Sequence, residues 1–233
     1  MVPCYFENLH NMKNHIPPGT LVGLMLAFFG APLVIYLFGL QLPDNGLTDS
    51  FVITRELCLF LLGAILMLIV FKVEKMGWDS VGLHNRYWGK SLLMSLGLVV
   101  VCFLAVLGCI GLLNLFGISY GSGENAQQYD RISLGVMTLV VLRAGVIEEL
   151  FYRGYIFERL EKYSGHWVAF ILIPTLMFGL FHYKQGIGGM LISFVLGLVF
   201  ALYYWKTRDL KATITAHFLV DFIPNVLVPL GGN

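Results

Sequence analysis

The sequence predicts an all-α fold, a polytopic bundle of about seven transmembrane helices. Of its 233 residues, 58% are hydrophobic and only 12% are charged, and the mean hydropathy is +0.78. Soluble globular domains are about 45–50% apolar and about 25% charged, so a soluble domain is excluded. The net charge of +1 and the lack of any Lys/Arg-rich run argue against a nucleic-acid partner. The lipid bilayer is therefore the expected environment.

Seven apolar runs are long enough to cross about 30 Å of hydrocarbon, which takes about 20 residues per helix. They cover approximately residues 20–40, 51–71, 91–116, 132–157, 166–183, 187–205 and 211–230. Turn-forming residues separate them, and Ser164 and Gly165 predict a tight hairpin between the fourth and fifth spans. We interpret residues 1–19 as an N-terminal arm, 20–131 as N-terminal spans with an interfacial segment, and 132–233 as a transmembrane core.

The placement of basic residues predicts the orientation. Arg131 and Lys184 alone fall on one side, and Arg55, Arg143 and Arg153 lie within spans. The other ten share the side of the N-terminus: Lys13, Lys72, Lys75, Arg86, Lys90, Arg159, Lys162, Lys206, Arg208 and Lys211. Cytoplasmic loops carry the excess of Lys and Arg, so we expect a cytoplasmic N-terminus and an outside C-terminus.

The fourth span carries three charged residues within six positions, Glu148, Glu149 and Arg153. A charge at the bilayer centre costs about 2.5–3.5 kcal/mol on insertion scales, so such groups normally have partners inside the protein. Glu149 and Arg153 are four residues apart with the acid first, which favours an ion pair. Glu148 points about 100° away around the helix and is left available for proton chemistry. For Arg143, pairing with Glu148, pairing with Asp221 and snorkelling to the headgroups all remain open.

Polar residues also occur at helical spacing on two further spans. Phe178 and His182 are four apart on the fifth span, and His217 and Asp221 are four apart on the seventh. Glu148 precedes the predicted hairpin by 16 positions and His182 follows it by 17. At 1.5 Å per residue, both lie about 25 Å from the turn. We therefore expect these acids and imidazoles to share one intramembrane layer, with Phe178 as a packing residue.

This set of side chains suits the hydrolysis of a peptide bond. Glu148 and His182 together could deprotonate a water molecule, and His217 could donate a hydrogen bond to the oxyanion that develops. Asp221 could orient His217 or act as a donor itself. Glu148, His182 and His217 could instead hold a catalytic zinc ion with an open position for water. The set lacks the compact HExxH arrangement, so the metal-free route is preferred narrowly.

The motifs resemble those of the CPBP family of intramembrane proteases, which includes the type II CAAX prenyl endopeptidases and the Abi-type bacterial proteins. That family carries EExxxR, FxxxH and HxxxN or HxxxD in this order. Here they read Glu148-Glu149 to Arg153, Phe178 to His182, and His217 to Asp221. The resemblance implies that Glu148 and His182 activate water. It further implies that His217 and Asp221 stabilise the oxyanion and that Glu149 and Arg153 support the site.

The sequence therefore predicts an intramembrane endopeptidase, glutamate-dependent or metal-dependent, whose catalytic core is 132–233. Its substrate would be a small or membrane-associated peptide or protein, prenylated or not. Zinc would be the cofactor if the route is metal-dependent, and otherwise no cofactor is expected. The cell membrane is the expected location. Two alternatives are a proton-coupled transporter, because acids and imidazoles inside a bundle also form proton relays, and a non-catalytic membrane immunity or binding protein. The absence of repeated halves disfavours the transporter.

Overall fold

The computed structural model describes residues 15–43, 46–84, 88–120 and 132–231. Most of the predicted N-terminal arm and of the predicted loop after residue 117 lies outside these described residues. Three helices precede that loop: α1 (Pro18–Leu40), α2 (Asp49–Val73) and α3 (Trp88–Leu115). Four follow it: α4 (134–164), α5 (Val168–Leu180), α6 (Gly186–Thr207) and α7 (Leu210–Gly231). A short 3-10 helix, Trp78–Val81, lies between α2 and α3.

The helices begin and end where the local chemistry dictates. Thr48, Ser133 and Asp209 each precede a helix, and their side chains accept hydrogen bonds from the backbone N–H three residues on. Such caps satisfy donors that have no partner within the helix. Gly165 adopts the left-handed conformation with φ of 63° and ends α4, as its position in the predicted hairpin requires.

Five of these helices are long and apolar enough to cross a membrane: α1, α2, α3, α7, and the segment Tyr183–Thr207 that includes α6. Of the other two, α4 carries the charged motif and α5 is only 13 residues long. Large apolar side chains such as Leu33 and Leu107 remain exposed on the outer surface, where lipid would cover them. The predicted polytopic helical bundle is therefore confirmed, although α4 extends seven residues beyond the fourth predicted span.

Helix α4 lies at the centre of the bundle. It contacts α1, α2, α5, α6 and α7, and all eight residues of its segment Leu150–Phe157 are buried. A helix that is buried all round occupies a protein core. Both Ala144–Glu148 and Leu150–Phe157 have wide, π-type turns, which are rare and frequently occur at functional sites. The EExxxR motif therefore lies on the most enclosed and least regular helix of the protein.

Helix α5 is too short to cross the bilayer, and the turn that follows it lies within the depth of the membrane. The ring of Phe181, just past the helix, lies 6.4 Å from that of Phe29, which is at the middle of α1. The backbone around His182 is therefore non-helical about halfway along a membrane-length helix. Irregular backbone at such depth is tolerated where it is buried in protein or lines a water-filled cavity.

A buried ion pair joins the end of α2 to the far end of α4. Glu74 accepts hydrogen bonds from Thr20, Tyr155 and Arg159. Burial raises the pKa of the Glu74 carboxyl, but the hydrogen bonds from Arg159, Thr20 and Tyr155 outweigh it and hold this pKa below its usual value of 4.5. A lowered pKa stabilises the fold at neutral pH, and this contribution is lost as the pH falls below about 4.5.

We therefore expect the thermal unfolding midpoint in detergent to fall on acidification, with Glu74 as one cause. Glu74→Gln should lower the midpoint by about 5 °C or more at pH 7. It should also flatten the decline in the midpoint below about pH 4.5, because the amide does not titrate. If the midpoint of this variant falls on acidification as steeply as that of the wild type, the acid sensitivity is caused by other carboxyl groups.

Candidate active site

The second glutamate of the motif links two helices. Glu149 is fully buried, and its Oε1 accepts from Arg153 Nη1 at 2.6 Å, which is the ion pair predicted from their spacing. The same oxygen lies 2.9 Å from Nδ1 of His217 on α7. One carboxylate thus holds both the arginine of its own helix and the histidine of another. This second contact was not predicted, because 68 positions separate the two residues.

Aromatic rings enclose this ion pair. The Arg153 guanidinium lies 5.1 Å from the ring centroid of Phe178 and 5.4 Å from that of Phe200, and its Nη2 donates to the Gly197 carbonyl. Phe200 stacks on His217 at 5.2 Å. Rings that face a cation stabilise it by about 2 kcal/mol or more where water is excluded. The predicted packing role of Phe178 is consistent with these contacts.

Glu148 belongs to a separate ion-pair network that joins α4 to α2. Its Oε1 accepts from Arg143 Nη1 at 2.7 Å, which realises one of the alternatives for Arg143. The Nε of Arg143 donates to Glu56 Oε2 of α2, and Arg55 donates to the other oxygen of Glu56. Glu56 is fully buried, whereas 19% of the Glu148 side chain is exposed. Glu148 is therefore held by an arginine yet remains accessible.

His182 lies in the turn after α5 rather than within the helix. Its Nδ1 is 2.7 Å from the backbone oxygen of Phe178, a carbonyl at the end of the helix. Since a carbonyl only accepts, Nδ1 carries the hydrogen, and a neutral ring keeps its lone pair on Nε2. The ring lies 4.8 Å from that of Phe178, which also packs against Tyr152 of α4. Among the described residues, no hydrogen bond joins His182 to Glu148.

The remaining predicted pair lies one turn apart on α7. Nε2 of His217 is 3.5 Å from Asp221 Oδ2, and 32% of the Asp221 side chain is exposed. Both ring nitrogens of His217 thus face carboxylate oxygens, and a protonated imidazolium could donate to both. Glu149 fixes the ring from the buried side, and Asp221 approaches it from the exposed side.

The predicted zinc ligands do not form a ligand cluster as they stand. Within the described part of the chain, no three His, Cys, Asp or Glu side chains are grouped so that they could hold one metal ion. Glu148 is engaged by Arg143, and both nitrogens of His217 face acids. This arrangement does not fit a zinc site with three protein ligands, and the zinc hypothesis stays a prediction.

A glycine allows α4 and α7 to approach closely enough for Glu149 to reach His217. A Cβ at Gly145 would lie 3.0 Å from the Phe218 nitrogen and 3.1 Å from the Ile214 oxygen, both backbone atoms of α7. Small residues are typical where transmembrane helices pack backbone to backbone.

We expect Gly145→Leu to separate these two helices. Overpacking of this kind costs about 1–3 kcal/mol, and the variant should unfold at lower temperature than the wild type. Gly108→Leu on α3 is the matched control, because a Cβ at Gly108 would meet no atom within 4 Å. Equal midpoints for the two variants would show that α4 and α7 can repack.

The sequence also contained a signal for Glu56 that its motifs did not reveal. Arg55 and Glu56 are adjacent charges within the otherwise apolar helix α2, and an ionisable residue inside the membrane marks a functional or paired site. Proximity to Arg143, 87 positions later, depends on the packing of α2 against α4 and cannot be read from spacing.

Comparison with known proteins agrees with the motif resemblance. Residues 130–223 match the family described as "Rce1-like: Type II CAAX prenyl endopeptidase Rce1-like", so the resemblance is confirmed over this part of the chain. The match and the apolar helices support an integral membrane protein and, at the level of the family, an intramembrane protease of the CAAX type. No curated protein and no solved structure shows significant similarity to the chain. The match begins after α3, so α1, α2 and α3 lie outside it.

Proposed function

From the similarity of residues 130–223 to the type II CAAX prenyl endopeptidases, we propose that this protein is an intramembrane endopeptidase. Its substrate is a small or membrane-associated peptide or protein, including prenylated ones. The observation that carries the proposal is the placement of Glu148, which is paired with Arg143, partly exposed and located on the enclosed helix α4. An accessible carboxylate in such surroundings suits proton transfer better than helix packing.

Glu148 and His182 act on the attacking water. The carboxylate takes a proton from the water, and His182 presents its Nε2 lone pair to the same site because Nδ1 is held by the Phe178 carbonyl. The resulting hydroxide adds to the carbonyl carbon of the peptide bond. The proton is then passed to the leaving nitrogen as the C–N bond breaks. General acid–base catalysis of this kind contributes about 10²- to 10⁴-fold to the rate.

His217 stabilises the oxyanion that forms on the carbonyl oxygen. Glu149 holds the ring through Nδ1, so Nε2 is the nitrogen directed to the exposed side, where Asp221 now lies. At 3.5 Å this second contact is longer than a normal hydrogen bond, and the oxyanion replaces or shares it. Preorganised donors of this kind supply a large share of the rate enhancement in acyl transfer. Asp221 stands where prenyl endopeptidases usually carry Asn, and we assign it the orientation of His217.

The orientation belongs to the proposal as well. The excess of Lys and Arg on the side of the N-terminus places that side in the cytoplasm of a cell-membrane protein.

The test is cleavage by the detergent-purified protein. A fluorogenic peptide that ends in a CAAX-type tetrapeptide is offered with and without a farnesyl group on its cysteine. We expect cleavage within this tetrapeptide, faster for the farnesylated form, and insensitive to a zinc chelator. Inhibition by the chelator that zinc reverses would establish the metal-dependent route. Absence of cleavage in both peptides and in other membrane-associated substrates would reject the protease.

A further inference from the structure

Two carboxylates from different helices share the guanidinium of Arg143. Its Nε donates to Glu56 of α2, and its Nη1 donates at 2.7 Å to Glu148. Arg55 donates at 2.7 and 2.8 Å to the second oxygen of Glu56. Each of the two arginines therefore contacts at least one carboxylate, as buried charges require.

The shape of the guanidinium makes this arrangement directional. The five N–H donors of an arginine lie in one plane in a rigid fork. Fixing Nε on a fully buried carboxylate therefore fixes the direction in which Nη1 points. Glu56 has no exposed side-chain surface and is held by Arg55, whereas Glu148 is partly exposed. Glu56 is thus the enclosed end of this chain of contacts, and Glu148 is the accessible end.

We propose that Glu56 is a positioning residue for the general base: it orients the Arg143 fork, and the fork sets the place of the Glu148 carboxylate. This inference rests on the proposed function of Glu148. It assigns part of the site to α2, which lies outside the region that matches the family. Helix α2 then contributes to catalysis as well as to anchoring.

The first test separates positioning from stability. In Glu56→Gln we expect kcat per folded molecule to fall about 10- to 100-fold, because a displacement of about 1 Å has such effects, while KM changes little. Glu74→Gln is the matched control, since Glu74 directly follows α2, is also buried and pairs with an arginine of α4. It should lose stability but keep its kcat. Equal kcat for Glu56→Gln and the wild type would overturn the proposal.

A second comparison asks whether the effect passes through Arg143. Lysine keeps the charge but has no fork, so Arg143→Lys should itself lower kcat. The double variant Glu56→Gln/Arg143→Lys should then have a kcat less than about threefold below that of Arg143→Lys alone. The effects of residues that act through one another are not additive. Losses that multiply would show that Glu56 acts independently of Arg143.

A third measurement needs no turnover. If both carboxylates hold Arg143, either one alone should still hold it in place. The thermal midpoint of the double variant Glu56→Gln/Glu148→Gln should therefore fall by about 2–6 °C more than the two single decreases added together. The control pair Glu74→Gln and Glu148→Gln should add. Additive shifts in the first pair would refute the shared arginine, whatever the protein cleaves. If the midpoint decreases are not additive but no cleavage depends on Glu148, only the proposed function is rejected, and the shared arginine stands.

Discussion

The Glu149→Gln variant is expected to unfold about 10 °C or more below the wild type, since breaking a buried ion pair costs about 3–5 kcal/mol. Glu149 is fully buried, and its carboxylate serves both Arg153 and His217. An amide of the same shape carries no charge to balance Arg153. The measurement is the thermal midpoint of the detergent-purified protein.

Glu161→Gln is the control for this stability prediction. Glu161 also lies on α4, but it pairs with Arg208 where both side chains are about 30% exposed. Exposed ion pairs contribute about 0–1 kcal/mol, so its midpoint should stay close to that of the wild type. Similar midpoints for the two variants would mean that the buried Glu149 carboxylate contributes little to the stability of the fold.

Glu148→Gln is expected to abolish most of the activity while leaving the fold in place. Removing a general base lowers kcat by about 10²- to 10⁴-fold. The amide oxygen can still accept the hydrogen bond from Arg143, and the site is partly exposed, so the thermal midpoint should shift by only a few degrees. The measurement is kcat on the peptide that the wild type cleaves.

Glu158→Gln provides a closely matched control for the loss of the general base. Glu158 lies ten positions further along α4, its side chain is 21% exposed, and it also pairs with an arginine. It lies about 15 Å along the helix from Glu148 and pairs with Arg208 rather than Arg143, so the kcat of this variant should equal that of the wild type. A Glu148→Gln variant that retains more than a tenth of the wild-type rate would remove Glu148 from the mechanism.

Much of the fold follows from the sequence because lipid imposes a strict length and composition on each helix. The hairpin at Gly165 was predictable, because glycine adopts a positive φ without a steric penalty. The early end of α5 was not, since residues 167–181 are apolar apart from Thr175. Composition does not show where an apolar helix stops, and His182 consequently lies in a turn.

The candidate site was predictable where its residues are four apart on one helix. The Glu149–Arg153 and His217–Asp221 pairs are of this kind. Contacts across helices were not, because they depend on which faces meet and on close approaches such as that at Gly145. For this reason the contacts of Glu149 with His217 and of Glu56 with Arg143 emerge only from the packed structure.

The central claim is that Glu148 of α4 and His182 of the turn after α5 act together on one water molecule. The most direct test compares the cleavage rates of Glu148→Gln, His182→Ala and the double variant under identical conditions. Groups that act as a unit are strongly non-additive, so we predict that the double variant is no slower than the slower single variant. A double variant slowed by the product of the two single losses would show that the two residues act separately and would contradict the proposed site.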